Sequence, residues 1–248
     1  MNEIFYETKL GKVYHGDCFD YLDKLNYNIC ITSPPYNMQK SSGFKDAKKY
    51  IYDEDLSYLE YEDFIFKFLH IIIKNCKKYT FFNLQRVAGN QKITYKIFGK
   101  YMTFIKECLI WIKNNPPPTG MNVDHISNGY EFIYLFAKND YENRRFKHNN
   151  FNGNYVKNYI PTNINSHNKY HEIHKATFHP DIPKYLIKYF TMKTDIIIDP
   201  FAGCGETGIQ CEQLGRKYIL IEKELKYCEI IKERLILENQ KRRLFDLD

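Results

Sequence analysis

The chain is expected to adopt an α/β fold, a single doubly wound, mostly parallel sheet flanked by helices. Three observations lead there. Short apolar runs alternate with amphipathic stretches along most of the 248 residues, as in repeated βαβ units. Two of those runs, Asn28-Ile29-Cys30-Ile31 and Asp195-Ile196-Ile197-Ile198, read as buried strands. Each then enters a turn of special backbone chemistry: Thr32-Ser33-Pro34-Pro35-Tyr36 in one case, Asp199-Pro200-Phe201-Ala202-Gly203-Cys204-Gly205 in the other. Open α/β sheets bind ligands outside the carboxyl ends of their strands, so both turns are candidate site segments.

The elements follow in order. Gly11 to His15 reads as a strand, Cys18 to Leu25 as a short helix and Tyr27 to Thr32 as a strand. Residues 38–55 are polar and rich in Lys, Ser, Gly and Asp, which fits a polar insertion or a mobile flap beside the first turn. Apolar residues at helical spacing predict a helix over 57–77, followed by a strand from Tyr79 to Asn83. A helix over 87–98 leads to a strand from Phe104 to Lys113, and Asn114-Asn115-Pro116-Pro117-Pro118-Thr119-Gly120 is a loop. Tyr130 to Lys138 is another strand. Residues 139–176 then lose apolar periodicity and fill with Asn, Tyr, Lys, Arg and His. Regularity returns with a helix from Asp181 to Tyr189, a strand over 195–199, a helix after Thr207, a strand over 217–222 and a helix from Leu225 to Glu238.

Composition sets bounds. The chain is long enough to bury a full core as one domain spanning 1–248. It is 44% hydrophobic and 27% charged, ordinary for a globular protein. The formal charge of +6 permits a polyanionic partner without demanding one. No run of about 18 apolar residues is present, so no membrane span is expected. The seven cysteines include no C-x-x-C pair, which points to free thiols in a reducing, intracellular, cytoplasmic setting. His167, His171 and His174 lack the acid or thiol that would complete a metal site, and no metal is expected.

The turns carry the chemistry. Consecutive prolines fix φ near −65° and lack N–H groups, so Ser33-Pro34-Pro35-Tyr36 is a stiff loop offering carbonyls, a hydroxyl and a flat aromatic face. Gly203-Cys204-Gly205-Glu206-Thr207-Gly208 permits close backbone approach to a ligand. Glu222, ending the strand over 217–222, can take two ribose hydroxyls. The glycine spacing also fits a nicotinamide dinucleotide, or a plain structural turn, so by itself it leaves the cofactor open.

Together the two turns resemble the DNA amino-methyltransferase family, in the chain order of its β group. The resemblance covers nearly the whole chain. It implies a Rossmann-like, S-adenosylmethionine-dependent methyltransferase fold with a small inserted recognition region. It makes Ser33, Pro34, Pro35 and Tyr36 the catalytic turn, with Ser33 and the Pro34 carbonyl orienting the target amine and Tyr36 stacking on a flipped base. It gives the cofactor Asp17 for the adenine, Glu222 for the ribose and Asp199, Gly203 and Gly205 for the methionine portion, with Thr32, Pro200, Phe201, Ala202 and Thr207 as further cofactor-binding residues. Phe178-His179-Pro180 resembles the segment closing over that side, so His179 and Pro180 join the set. Glu206 departs from the family turn and has no assigned role. The resemblance also places target recognition in residues 139–176, where Arg144, Arg145, Lys147, Lys157 and Lys169 are candidate phosphate contacts. The same composition fits a solvated insertion.

The implied partner is DNA, with a cognate restriction enzyme and a second copy of the chain as further candidates. Ser33 at the head of its motif resembles the cytosine-N4 branch, which is favoured over adenine N6. A C5-cytosine mechanism needs a thiol in a Pro-Cys turn, and neither Cys30 nor Cys204 has that setting. RNA methylation and a DNA-binding subunit without turnover are the rival classes.

Overall fold

A computed structural model describes residues 3–37, 56–116, 128–139, 144–163 and 178–245. Nine strands form one sheet in the order β1-β2-β9-β8-β3-β4-β6-β5-β7. They are β1 (Ile4–Glu7), β2 (Gly11–His15), β3 (Ile29–Thr32), β4 (Tyr79–Leu84), β5 (Ile105–Lys113), β6 (Tyr130–Ala137), β7 (Tyr159–Thr162), β8 (Ile196–Asp199) and β9 (Lys217–Glu222). The five strands from β2 to β4 run parallel, and β5 and β7 share their direction. Only β1 and β6 oppose them, β1 as an edge strand on β2 and β6 between β4 and β5.

The central strands are buried on both faces, which is why they read as continuous apolar runs. Side chains alternate between two cores. Ile29, Ile31, Ile197 and Leu220 point to one face, where α3 (Asp181–Phe190), α4 (Glu206–Leu214) and α5 (Leu225–Phe245) pack. Cys30, Ile198, Ile219 and Ile221 point to the other, covered by α1 (Tyr58–Asn75) and α2 (Gln91–Lys100). The start of α1 is fixed by a capping box: Ser57 Oγ accepts the Glu60 N–H at 3.3 Å, and the Glu60 carboxylate accepts the Ser57 N–H at 2.9 Å. No helix among the described residues is long and apolar enough to cross a membrane.

Parallel strands deliver their carboxyl ends to one edge. Thr32, Leu84, Lys113, Asp199 and Glu222 all end strands there. Because β6 runs the other way, its first residues, Tyr130 and Glu131, reach the same edge.

Two expectations need correction. The helix expected over Cys18 to Leu25 is a single 3-10 turn, Cys18–Asp20, followed by hydrogen-bonded turns. The segment over 139–176 is not wholly irregular. It contributes β7, whose Ile160 and Thr162 are buried while Tyr159 and Pro161 face out. Pro161 interrupts the strand pattern, yet is tolerated because β7 lies at the sheet edge.

Arg144, Arg145 and Lys147 are exposed and lie toward the amino edge of the sheet, across from the turn at Ser33–Tyr36. Phe146 between them packs on Tyr79, the first residue of β4, and on Phe190, the last of α3. Lys106, at the start of β5, donates to the Arg145 carbonyl at 2.8 Å. The reason is topological: an antiparallel β6 enters at the carboxyl edge and leaves at the amino edge, so the chain after it starts at the amino edge. Lys157 is exposed near the start of β7, with its carbonyl accepting the Tyr185 hydroxyl at 2.7 Å. Residues 38–55, Lys169 and the three histidines at 167, 171 and 174 lie outside the described residues.

Candidate active site

β3 and β8 are neighbours in the sheet, so the two turns that follow them emerge side by side. A buried carboxylate joins them. Asp199 accepts the Thr32 hydroxyl at 2.7 Å on one oxygen and the Thr207 hydroxyl at 2.6 Å on the other. The Phe201 N–H adds a third bond at 3.2 Å. Thr32, Asp199 and Thr207 thus sit inside the frame of the site.

The second turn is then drawn to β9. The Gly203 N–H donates to Glu222 at 2.7 Å, and the Glu224 N–H donates to its other oxygen at 2.8 Å. Gly205 caps α4 with φ +80°, where a Cβ would meet Ile231 of α5 at 2.9 Å. Only glycine meets both demands. Glu206, unassigned from the sequence, clips this turn to α5. Arg234 donates to the Glu206 carboxylate and to the Cys204 carbonyl, both at 2.6 Å.

Between the turns lies a cleft of about 280 Å3. Phe19, Phe64 and Phe201 supply flat apolar walls, with Glu222 and Asp17 as its acids and Pro35 and Asn37 linking it to the first turn. Asp17 ends the turn after β2, accepts the Phe19 N–H at 3.1 Å and faces Lys223 at 3.6 Å. Pro200 also lines the cleft. His179 and Pro180 do not line it. They start α3, with the His179 ring beside Trp111 at 6.2 Å. Burial lowers the His179 pKa from its ordinary value, which favours the neutral ring.

The first turn is braced from several sides. Tyr61 donates to the Pro35 carbonyl at 2.6 Å, and Asn90 donates to the Tyr36 carbonyl at 2.9 Å. Asn37 follows with φ +58°, a conformation that asparagine tolerates, and its amide bridges the N–H and carbonyl of Leu56. Among the described residues no hydrogen bond reaches the Pro34 carbonyl. It and Ser33 are the acceptors of the turn left for a ligand.

Sequence reasoning missed the groups behind this turn. The Tyr36 hydroxyl lies 2.7 Å from Ser33 Oγ, donates to Glu131 at 3.0 Å and accepts from Asn83 at 2.8 Å. Asn83 also donates to Glu131 at 2.6 Å, and Lys113 pairs with the other Glu131 oxygen at 2.7 Å. The sequence signal was slight: a lone Glu and a lone Lys, each at a strand end otherwise apolar. Burial pushes the Cys204 thiol up to about 12 and the Cys30 thiol well above its ordinary value, so neither is a ready nucleophile.

Comparison with known proteins shows the family of the chain. The DNA methylase family, of the N6 and N4 type, matches residues 27–233. The chain belongs to that family. Relatives include the Type II methyltransferase M2.LlaDCHI of Lactococcus lactis subsp. cremoris, 26% identical over 95% of this chain and 93% of its own length. Another is the Type II methyltransferase M2.DpnII of Streptococcus pneumoniae, 24% identical over 97% of this chain and 95% of its own length. Among solved structures the fold is shared with the cytosine-N4-specific PvuII DNA methyltransferase. That match has a TM-score of 0.74 and 19% identity, covering 94% of this chain and 89% of that one. The M1.HpyAVI complex with S-adenosylmethionine matches with a TM-score of 0.61 and 20% identity, over 91% of this chain and all of that one. The chain is therefore a DNA amino-methyltransferase, and S-adenosylmethionine is its methyl donor. The cleft suits an adenosine group, with aromatic walls for the base and a buried carboxylate for ribose hydroxyls.

Burial pushes the Asp199 carboxyl up to about 6, against the pull of the Thr207 and Thr32 hydroxyls and the Phe201 N–H. In an unfolded chain an Asp loses its proton near pH ~3.9. The folded protein therefore holds more protons between pH ~4 and ~6, and its stability falls as pH rises through that window. Asp199→Asn is expected to flatten this part of the stability curve measured by urea unfolding. An unchanged slope would show that the carboxyl titrates as an ordinary Asp.

Proposed function

We propose that this chain is a site-specific DNA methyltransferase acting on the exocyclic amino group of a base flipped out of the duplex, with cytosine N4 as the favoured target. The observation that carries this reading is a pair of acceptors on one turn, the Pro34 carbonyl, which no hydrogen bond reaches among the described residues, and Ser33 Oγ, which bonds Tyr36 and keeps lone pairs over; the same turn lines the cleft through Pro35 and Asn37. An amine has two hydrogens to place, and two acceptors can hold them while the nitrogen lone pair faces the methyl group. When bound, the cofactor supplies that methyl on an electrophilic sulfonium.

The chain's own residues do the rest. Glu222 would receive the ribose hydroxyls and Asp17 would meet the adenine, with Phe19 and Phe201 as apolar walls of the cleft. Pro200, Ala202, Gly203 and Gly205 would hold the rest of the cofactor, with Thr32, Asp199 and Thr207 keeping that turn in place and His179 and Pro180 beyond the cleft. Tyr36 presents its ring to the flipped base while its hydroxyl stays tied to Glu131. Ser33 is a poor base at neutral pH, so it orients the amine and stabilises its charge rather than stripping a proton beforehand. Ser at the head of the motif, and the cytosine-N4 specificity of the PvuII enzyme that shares the fold, support cytosine as target. The Type II designation of the relatives supports a restriction-modification setting with a cognate endonuclease.

Two measurements test this reading. Genomic DNA treated with the chain and S-adenosylmethionine is expected to yield N4-methylcytosine by nucleoside mass spectrometry. N6-methyladenine alone would overturn the choice of base, and no methylated nucleoside would overturn the activity. The second follows from the placement of Arg144 and Arg145. Losing two phosphate contacts would reduce the salt slope of DNA affinity by about two units. With both residues changed to Ala the slope is expected to stay as it was; a drop of that size would place the amino edge against DNA.

A further inference from the structure

The buried groups behind the catalytic turn fix the direction of each hydrogen bond among them. Glu131 is held as a carboxylate by Lys113 at 2.7 Å, with both side chains almost wholly buried. An ionised carboxylate can only accept, so the Tyr36 hydrogen points to Glu131. Asn83 can only donate through its amide nitrogen, and it occupies one lone pair of the Tyr36 oxygen. Tyr36 has no second hydrogen to give. The 2.7 Å contact with Ser33 must therefore be made by the Ser33 hydrogen, which points inward. The Ser33 lone pairs are then left facing the site.

We propose that Glu131 is a positioning residue that turns Ser33 into a pure acceptor through the Tyr36 phenol, and that the same chain receives the proton lost by the methylated amine. The inference rests on the amine-methylation reading above. Once the amine carries its new methyl it is cationic and acidic. One N–H bond breaks and its proton bonds to Ser33 Oγ, while Ser33 passes its own hydrogen to Tyr36 and Tyr36 passes its own to Glu131 Oε2. The nitrogen keeps the electron pair and becomes neutral. Both hydroxyls end as they began, and the carboxylate ends as a carboxylic acid. Burial and the Glu131 carboxylate push the Tyr36 phenol well above its ordinary value, so it stays protonated and relays rather than holds charge. Asn83 and Lys113 are the other polar side chains bonded to this chain.

Tyr36→Phe keeps the ring and the Lys113–Glu131 ion pair and removes the hydroxyl, with its bonds to Ser33, Asn83 and Glu131. Its single-turnover methylation rate is expected to fall about 100-fold, the scale of a lost proton-transfer group. Its calorimetric affinity for S-adenosylmethionine and its affinity for duplex DNA should stay within about twofold of the unaltered chain. Glu131→Gln alone leaves the Lys113 charge buried without its partner, a strong destabilisation, so it is paired with Lys113→Met, which removes both charges together. That double variant should fold, as judged by its melting temperature, and be as slow as Tyr36→Phe. Adding Tyr36→Phe to it should cost nothing more, because one chain has already been cut. Neutron diffraction of the unaltered protein should place the Ser33 hydrogen on the line to Tyr36 and the Tyr36 hydrogen on the line to Glu131. A full rate in either variant, losses that multiply, or a Tyr36 hydrogen aimed at Ser33 would overturn the proposal. Failure of the unaltered chain to methylate any DNA would instead overturn the functional reading and this inference with it.

Discussion

Two turns separated by most of the chain meet because one buried carboxylate needs both of them. Asp199 has no access to water and must find its donors inside the protein. Thr32 comes from the strand that feeds the catalytic turn, and Thr207 from the helix that follows the cofactor turn. An apolar residue at 199 would leave two buried hydroxyls without an acceptor, and an apolar residue at 32 or 207 would strip the carboxylate of a donor. Neighbouring strands bring the two turns side by side, and satisfying one carboxylate ties them together. Glu222 extends the same logic by ordering the glycine turn with one oxygen and the start of the next helix with the other.

Much of this was legible in the sequence, and the reasons are physical. Strands covered on both faces must be apolar throughout, so β3, β4, β8 and β9 announce themselves. Prolines and glycines restrict or free the backbone in ways that survive any context, so the two turns do too. The acid at 222 stands out by its position at a strand end, whereas the acid at 17 was marked only by the family resemblance. Glu206 was not legible, because its partner Arg234 lies a helix away and no local rule links them.

What stayed hidden depends on strand direction. Nothing in Tyr130 to Ala137 says that β6 opposes its neighbours. That one fact carries Glu131 to the catalytic edge and sends Arg144 and Arg145 to the far one. A parallel β6 would have done the reverse. The place of a charged residue in this fold is therefore set by topology more than by its local sequence.

The account rests on the cleft between the two turns being the seat of S-adenosylmethionine, with Glu222 as its ribose acceptor. Calorimetric titration of the cofactor into Glu222→Ala, with the fold checked by circular dichroism, tests this most directly. Removing a buried acceptor should weaken binding by about 1–3 kcal/mol relative to the unaltered chain. Unchanged affinity in a folded variant would contradict the account.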